Sequence, residues 1–275
     1  MHWFYFLFNK LSDKIIREEM YFMNIQIPYQ HDYNKLNFYR IIATVLLVFT
    51  SFLSVGLPIL KQNDFSYYSV LDLTNILLII GYFILTTVIE VFLYPNTSIE
   101  RRKGFIDNSI GSKLLNKPLN GYFSNDSIPY GSYKLAVNCY ENCFFSYNIA
   151  KAMTFQIVIK NSIFFLLFLG CAYFGFQKNI VSTPIIQIFI STLFLNELIH
   201  HLNFRIKLKI ILDSFQQLFE HKLLLNDLGT PIFFVLNYET VLAFNKSPLS
   251  DKKFKELDPQ LSKEWEELKK RYEIK

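Results

Sequence analysis

The sequence predicts an all-α membrane protein, with four transmembrane helices and a helical cytoplasmic domain built from the middle loop and the C-terminal tail. Four long apolar stretches divide the chain, and a helix that crosses a bilayer needs about 20 mostly apolar residues. The stretches lie at residues 41–60, 73–89, 161–177 and 179–196. Lysine and arginine are concentrated in alternate connecting segments, which is typical of a chain that crosses a membrane repeatedly.

The chain begins with an N-terminal segment, residues 1–37, followed by a transmembrane hairpin, residues 38–94. In the N-terminal segment an apolar stripe at helical spacing lies opposite charged residues. This segment therefore lies either in the lipid headgroup plane or on the cytoplasmic domain. The stripe consists of Leu11, Ile15, Ile16 and Met20. No basic region precedes the apolar run at residues 3–8, so a cleaved signal peptide is not expected.

Residues 95–160 are too many for a simple connection, and they predict a folded cytoplasmic loop subdomain. Thr97 and Glu100 have the spacing of a capping box, which would open a helix. Gly111 is typical of the end of that helix. A second helical pattern begins at Ser132 and leads towards the third apolar stretch.

Residues 161–198 form the second predicted transmembrane hairpin, and residues 199–275 form a cytoplasmic helical tail. No proline or glycine interrupts residues 185–228, so the fourth span is expected to continue into the cytoplasm as one helix. Its cytoplasmic part carries a heptad-like apolar seam, which predicts either oligomerisation or packing on the middle loop. The seam consists of Phe204, Leu208, Ile211, Phe215, Leu218 and Leu225.

The last helix of the tail carries an apolar stripe that needs a dry partner. The stripe consists of Leu261, Trp265, Leu268 and Tyr272. The rest of the cytoplasmic domain is the simplest partner. A membrane scaffold that recruits another protein through this helix is the alternative.

The distribution of basic residues predicts the orientation. Thirteen of the 28 lysines and arginines follow the fourth span, and many others precede the first span or lie in the middle loop. Since basic residues stay on the cytoplasmic side, both termini and the middle loop are expected to be cytoplasmic. The net charge of +5 suits a protein beside anionic lipid, and it does not predict duplex nucleic acid as a partner.

The fourth span has a polar face that predicts a pore lining. Hydroxyl and amide side chains recur there every four residues in two adjoining rows, and such groups within lipid either bond helices together or face water. If several copies of the span met around an axis, this face would line the pore. Its residues are Thr183, Gln187, Ser191, Thr192, Asn196 and His200.

A cluster of cations after the second span predicts a phosphate-binding site in the cytoplasmic domain. Three consecutive cations open this region, and others from the loop and the long helix are expected to join them. The predicted ligand-binding residues are Arg101, Arg102, Lys103, Lys113, Arg205 and Lys207. Anchoring by the positive-inside rule is the alternative for the first three.

The sequence contains no motif typical of a catalytic site, so the protein is expected not to be an enzyme and to need no cofactor or metal. The best signal for chemistry is Glu197, His200 and His201 at the inner end of the fourth span, which suggests a metal-dependent membrane enzyme as an alternative. Cys139 and Cys143 are expected to be reduced structural thiols, because zinc would need two further ligands.

The layout resembles a known family. Two spans, a loop of about sixty residues that opens with Glu-Arg-Arg-Lys-Gly-Phe-Ile-Asp-Asn at residues 100–108, two more spans in a tight hairpin and a helical tail follow one another. This arrangement is similar to the four-transmembrane effectors of bacterial nucleotide-signalling anti-phage systems. They include the SMODS-associated effectors of CBASS-like operons and the channel component of the Hailong system.

The resemblance implies an oligomeric channel of the bacterial inner membrane. A partner nucleotidyltransferase would make an oligonucleotide second messenger, which would bind the cytoplasmic domain and open the pore. Depolarisation would then stop growth before phage release. Together with the polar face of the fourth span, this leads to the expectation of a ligand-gated homo-oligomeric channel with four subunits.

Overall fold

The computed structural model describes residues 29–117, 122–174, 194–221, 229–244 and 249–275. These parts of the chain are helical apart from short connections and contain no strand, so the prediction of an all-α protein is confirmed for them. Their helices are α1 (Gln30–Gln62), α2 (Tyr68–Val88), a π-helical segment (Ile89–Leu93), α3 (Tyr94–Ile110), α4 (Ser132–Phe174), α5 (Phe194–Glu220), α6 (Gly229–Phe244) and α7 (Asp251–Arg271).

Two helical segments are long and apolar enough to cross a membrane, and they contain the first two predicted spans. Gln30–Gln62 reaches a mean hydropathy of 2.2 and Tyr68–Ile110 reaches 2.5. In the most apolar 18-residue part of each segment, only 17% and 6%, respectively, is buried inside the protein. Their side chains therefore do not form the core of the fold, and they project outwards, as Phe52 does with 74% of its surface exposed.

α1 and α2 pack side by side as a hairpin and are joined by a side-chain hydrogen bond. The Nδ2 of Asn75 donates to the Oγ of Ser54 over 3.0 Å. Leu36, Ala43 and Ile89 form a small apolar cluster at the end of the pair that adjoins the rest of the molecule.

The last two predicted spans are covered only in part. α4 includes residues 161–174 of the third span, whereas most of the fourth span and the N-terminal stripe of residues 11–20 lie outside the described residues. The four-span count and the side of the membrane on which the domain lies stay predictions.

The helix that was expected to start at Thr97 starts earlier, so the capping-box prediction is wrong. α2 continues through the π-helical segment directly into α3, and the Oγ1 of Thr97 donates to the carbonyl of Leu93 over 2.9 Å. Because the backbone N–H groups at this point already have partners in the preceding turns, no cap is needed. Gly111 ends α3 as predicted, with a left-handed φ of 78°.

α4 is the central helix of a single hydrophobic core that joins the middle loop to the tail. Its residues Ala136, Val137, Cys139, Tyr140 and Cys143 are completely buried. α3, α5, α6 and α7 all pack against it. The loop subdomain and the helical tail, which are separate along the chain, therefore fold as one helical domain.

The apolar seam of α5 faces this core and not another subunit. Its members within the described residues are at most 6% exposed; they are Phe204, Leu208, Ile211, Phe215 and Leu218. The ring of Phe215 stacks on Tyr140 with the centroids 5.8 Å apart. Oligomerisation through this seam is thus a wrong interpretation, and packing on the middle loop is confirmed. Leu225 lies outside the described residues.

The apolar stripe of α7 also packs on the chain itself. Leu261 and Trp265 are buried, and Leu268 and Tyr272 pack against the same core. The indole of Trp265 meets the ring of Tyr140 edge to face, with centroids 5.0 Å apart. The expectation that this stripe covers the domain's own core is confirmed.

Candidate functional site

Two of the predicted ligand-binding cations converge on one carboxylate between α3 and α6. The guanidinium of Arg101 binds the Oε2 of Glu239 at 2.5 Å, and Arg102 donates to the same oxygen through Nε at 3.0 Å. The two arginines lie at the middle of α3, about two turns beyond the π-helical segment. α6 brings Glu239 to them from about 140 residues further along the chain.

The environment of this ion cluster keeps Arg101 charged. Burial alone would lower the pKa of Arg101, but the charge and the hydrogen bond of Glu239 outweigh it, so the pKa is raised. The side chain of Arg101 is 15% exposed and that of Arg102 is 40% exposed. The Oε1 of Glu239 is buried and has no hydrogen-bond partner among the residues that the structure describes. The carboxylate therefore occupies a place where two cations could hold another anion.

The structure does not bring the other four predicted ligand residues to this cluster. Lys103 forms an ion pair with Glu100 at 2.7 Å. Lys113 is exposed on the connection after α3. Arg205 and Lys207 lie on α5, which packs mainly on α4 and α6. Within the described residues, no hydrogen bond or ion pair joins Arg205 or Lys207 to the cluster of Arg101, Arg102 and Glu239.

The predicted pore lining falls almost entirely outside the described part of the chain. Thr183, Gln187, Ser191 and Thr192 lie in the segment that the structure leaves undescribed, as does the side chain of Asn196. His200 is an exposed residue of α5. The pore-lining assignment stays a prediction.

The histidine cluster of α5 is used for packing and pairing. Glu197 forms an ion pair with Lys160 of α4 at 2.6 Å. The Nε2 of His201 lies 3.1 Å from both the Ala150 carbonyl and the Thr154 hydroxyl, and burial lowers the pKa of this imidazole. Among the described residues, no group of three His, Cys, Asp or Glu side chains could hold a metal ion. This arrangement does not favour the metal-enzyme alternative.

A buried polar network next to the core was not recognised from the sequence. It starts at Asn138 of α4, whose Nδ2 donates to the Oδ1 of Asn108 and the Oγ of Ser109. The Nδ2 of Asn125 donates to Asn138 at 2.9 Å and to the Oε2 of Glu141 at 2.6 Å. A signal was present, because Asn138 and Glu141 lie one helical turn apart and interrupt the apolar face of α4.

α7 completes this network from the other end of the chain. The Oγ of Ser124 donates to Glu141 and accepts from the Nε1 of Trp265 at 3.1 Å and the Nζ of Lys269 at 3.3 Å. Burial raises the pKa of Glu141 to about 7, against the opposing effect of these hydrogen bonds and of Lys269. Glu141 therefore changes charge near neutral pH inside a network that ties α3, α4 and α7 together.

An open groove of about 630 Å³ lies over the network, between the turn that contains Asn125 and the last turns of α7. Lys269, Lys270 and Lys275 line it together with Glu266 and Glu273. The groove is a second place in the domain where basic side chains adjoin buried polar groups.

Comparisons of the chain with protein-family models, with curated proteins and with solved structures found no match.

Proposed function

We propose that the protein is a ligand-gated, homo-oligomeric ion channel of the bacterial inner membrane, a tetramer with the fourth span around its axis. A nucleotide second messenger made by a partner nucleotidyltransferase binds the helical domain and opens the pore. The resulting depolarisation stops growth during phage infection. This proposal joins the apolar hairpin, the polar face of the fourth span and the family resemblance of the sequence.

The observation that carries the proposal is the continuity of α4. Its first half supplies the centre of the domain core, with Ala136 and Tyr140 fully buried. Its second half enters the third apolar stretch, where Ile163 and Leu166 are exposed, and Phe155 just before that stretch is exposed as well. A helix of 43 residues is about 65 Å long, so one rigid element reaches from the domain into the region of the predicted spans.

α5 provides a second such connection. It begins at the end of the fourth predicted span and then packs along α4 through the core, and His201 is bonded to Ala150 at the level where the two helices leave the domain. A ligand that moves the core would therefore move both helices at their membrane ends. This is the property that a gated channel requires of its sensor.

The Arg101–Glu239–Arg102 cluster is the ligand site that the proposal favours. A phosphate group is a stronger bidentate acceptor than a carboxylate that uses one oxygen, and it would compete with Glu239 for the more exposed Arg102. Displacement of Glu239 would release α6 from α3. Ligand binding would thereby change the packing of the domain around α4.

The two alternatives are a membrane scaffold and a metal-dependent enzyme. Within the described residues, neither finds the exposed surface or the group of side chains that it would need. A scaffold would present the apolar stripe of α7, but that stripe is buried in the chain's own core. A metal enzyme would group Glu197, His200 and His201, but Glu197 is paired with Lys160 and His201 is bonded to Ala150 and Thr154.

Ion flux through the purified protein in liposomes tests the proposal. We expect flux in the presence of one or more members of a panel of cyclic and linear oligonucleotides and none without ligand. Gln187→Leu should reduce the flux with assembly unchanged, and Arg102→Gln should raise the ligand concentration needed. Lys270→Gln, in the separate groove over Asn125, is the matched control for the ligand site. Inserted, oligomeric protein that conducts with no member of the panel would contradict the proposal.

A further inference from the structure

Four contacts mark a common level at which the apolar helices meet the helical domain. The hydroxyl of Tyr94 donates to the carbonyl of Leu242 over 3.1 Å, so the last turn of α6 lies beside the start of α3. The guanidinium of Arg40 lies 5.5 Å from the centre of the Tyr94 ring. At the same level, Asn37 donates to Asp251 over 2.8 Å and the Ser250 amide donates to the Sδ of Met153 over 3.3 Å. We call this the boundary level.

Exposed apolar bands begin at the boundary level on α1 and on the continuous helix of α2 and the π-helical segment, and α4 carries an exposed aromatic side chain at this level. The first exposed aromatic side chains there are Phe38 of α1, Phe92 of the π-helical segment and Phe155 of α4. Their exposed fractions are 60%, 59% and 72%. Beyond them the outward-facing residues of α1 and α2 are almost all apolar, as lipid contact requires.

α6 reaches the same level with an exposed aromatic side chain of its own. Phe244, two residues beyond the Leu242 carbonyl that Tyr94 binds, is 79% exposed. It ends a face on which Leu236, Thr240 and Ala243 are also exposed and which carries no ionisable residue. The single charged residue of α6 is Glu239, and it points inwards to Arg101 and Arg102.

α6 is therefore apolar towards the outside and charged towards the inside, which is the reverse of a helix on a water-facing surface. We propose that the C-terminal turn of α6, through Ala243 and Phe244, docks on the lipid bilayer and anchors the helical domain to it. The lipid that covers Phe38, Phe92 and Phe155 continues over Phe244. With 16 residues, about 24 Å in length, α6 is too short to cross the bilayer.

This anchor rests on the membrane insertion that is part of the proposed function, and it adds a consequence. Because Glu239 lies on the docked helix and binds the arginines of α3, the bilayer would hold α6 in place while a ligand at Arg102 releases Glu239 from α3. The domain then has a fixed point on the lipid surface against which α4 and α5 can move.

Tryptophan quenching in vesicles tests the anchor. The full chain is reconstituted in phosphatidylcholine and phosphatidylglycerol whose acyl chains are brominated either near the headgroup or near the chain end. Phe244→Trp is the test variant, Phe52→Trp in the middle of the first apolar stretch is the interior control, and Tyr130→Trp is the distal control. Tyr130 is 67% exposed and follows α3 at its far end, about 25 Å from Tyr94. The unchanged protein, with buried Trp265 and with Trp3, supplies the background.

We expect lipid brominated near the headgroup to quench the added emission of Phe244→Trp more than lipid brominated near the chain end, and Tyr130→Trp not to respond. Phe52→Trp should show the opposite depth preference. If Phe52→Trp is quenched and Phe244→Trp behaves like Tyr130→Trp, the anchor is wrong and membrane insertion stands. If neither is quenched, insertion itself fails. A third outcome is that the emission of Phe244→Trp is the same with and without brominated lipid but changes when the protein-to-lipid ratio is lowered. That result would show that a second copy of the chain covers this face, and it would overturn the anchor.

Discussion

Glu141 shows at the scale of one residue how the domain combines stability with sensitivity. Its carboxyl group is buried and accepts from Ser124 and Asn125, yet its pKa is raised to about 7 because these bonds do not fully replace water. An acid whose pKa is higher in the folded than in the unfolded state favours folding when protonated. Stability is therefore expected to fall as the pH rises from about 4.5, the ordinary value, to about 7.

Glu141→Gln should remove most of this pH dependence. The amide has the shape of the protonated acid and can keep a bond to Ser124 and one from Asn125. We expect the unchanged protein to lose roughly 3 kcal/mol of folding free energy across the interval and the variant to lose much less. Melting curves between pH 5 and 8, about the range of the titration, measure this. Glu267→Gln, on the exposed face of α7, is the control and should not alter the slope. An unchanged slope in Glu141→Gln would mean that another group titrates.

The ion cluster should respond unequally to the removal of its members. Glu239→Ala leaves the mostly buried Arg101 without its partner and should cost about 3 kcal/mol or more. Arg102→Ala removes a side chain that is 40% exposed and should cost less than about 1 kcal/mol. Urea unfolding monitored by the emission of Trp265, which is in the core, measures both. Arg101→Leu with Glu239→Leu should recover part of the loss, because no buried charge is then left unpaired. Equal costs for the two single variants would contradict this account.

At the scale of helices, local patterns predicted most of the elements, but they did not always identify what packs against each helix. The apolar windows of α1 and α2, the end of α3 at Gly111 and the stripe of α7 follow from composition and spacing alone. The seven-residue repeat of α5 correctly marked a buried face. It could not say whether another subunit or α4 covers that face, because a heptad-like pattern describes one side of a helix and not what lies against it.

The π-helical segment between α2 and α3 could not be predicted either. Its geometry predicts that one residue can be deleted from it without disturbing the contacts of α3. One extra residue is accommodated in Ile89–Leu93, so deletion of the exposed Val91 should restore an ordinary helix without rotating α3. The contacts of Tyr94 with Leu242 and of Arg101 with Glu239 should survive, and the melting temperature should change little. Deletion of Ile80 within α2 is the control. It rotates the following residues by about 100° and should disrupt the contacts of Ile89 and Tyr94. Comparable losses in both deletions would show that the π turn is not a removable insertion.

At the scale of the whole molecule, the candidate site depends on contacts between distant parts of the chain. Arg101 and Arg102 are recognisable in the sequence as an unusual pair of cations after an apolar stretch. Glu239, which pairs with both of them, lies about 140 residues later within an otherwise uncharged helix. The network that contains Asn108, Glu141 and Lys269 likewise joins three separate helices, α3, α4 and α7. Such sites follow from tertiary packing, so spacing along the chain cannot identify them.

The proposed coupling of the helical domain to the membrane through α4 belongs to the scale of the whole molecule, and a change in helix stiffness tests it. Lys151 and Gln156 are exposed and lie between the core half of α4 and its membrane half. Replacing both by glycine weakens the helix by about 1 kcal/mol at each position without removing a core contact. We expect ligand binding to stay unchanged and flux at a fixed ligand concentration to fall roughly fivefold or more, the loss of about 1 kcal/mol of coupling.

Two glycine substitutions on α7 are the control, because α7 does not extend towards the predicted spans. They distinguish an effect of α4 stiffness from an effect of lower domain stability. Lys263→Gly with Glu267→Gly weakens the exposed face of α7 by a similar amount, and it should leave both binding and flux unchanged. Ligand binding by calorimetry and flux in liposomes are measured on the same preparations. If the α4 pair conducts like the unchanged protein, α4 does not transmit the ligand signal. If the α7 pair loses flux as well, the effect comes from lower stability of the domain. Only a loss confined to α4 identifies this helix as the mechanical link between the site on Glu239 and the pore.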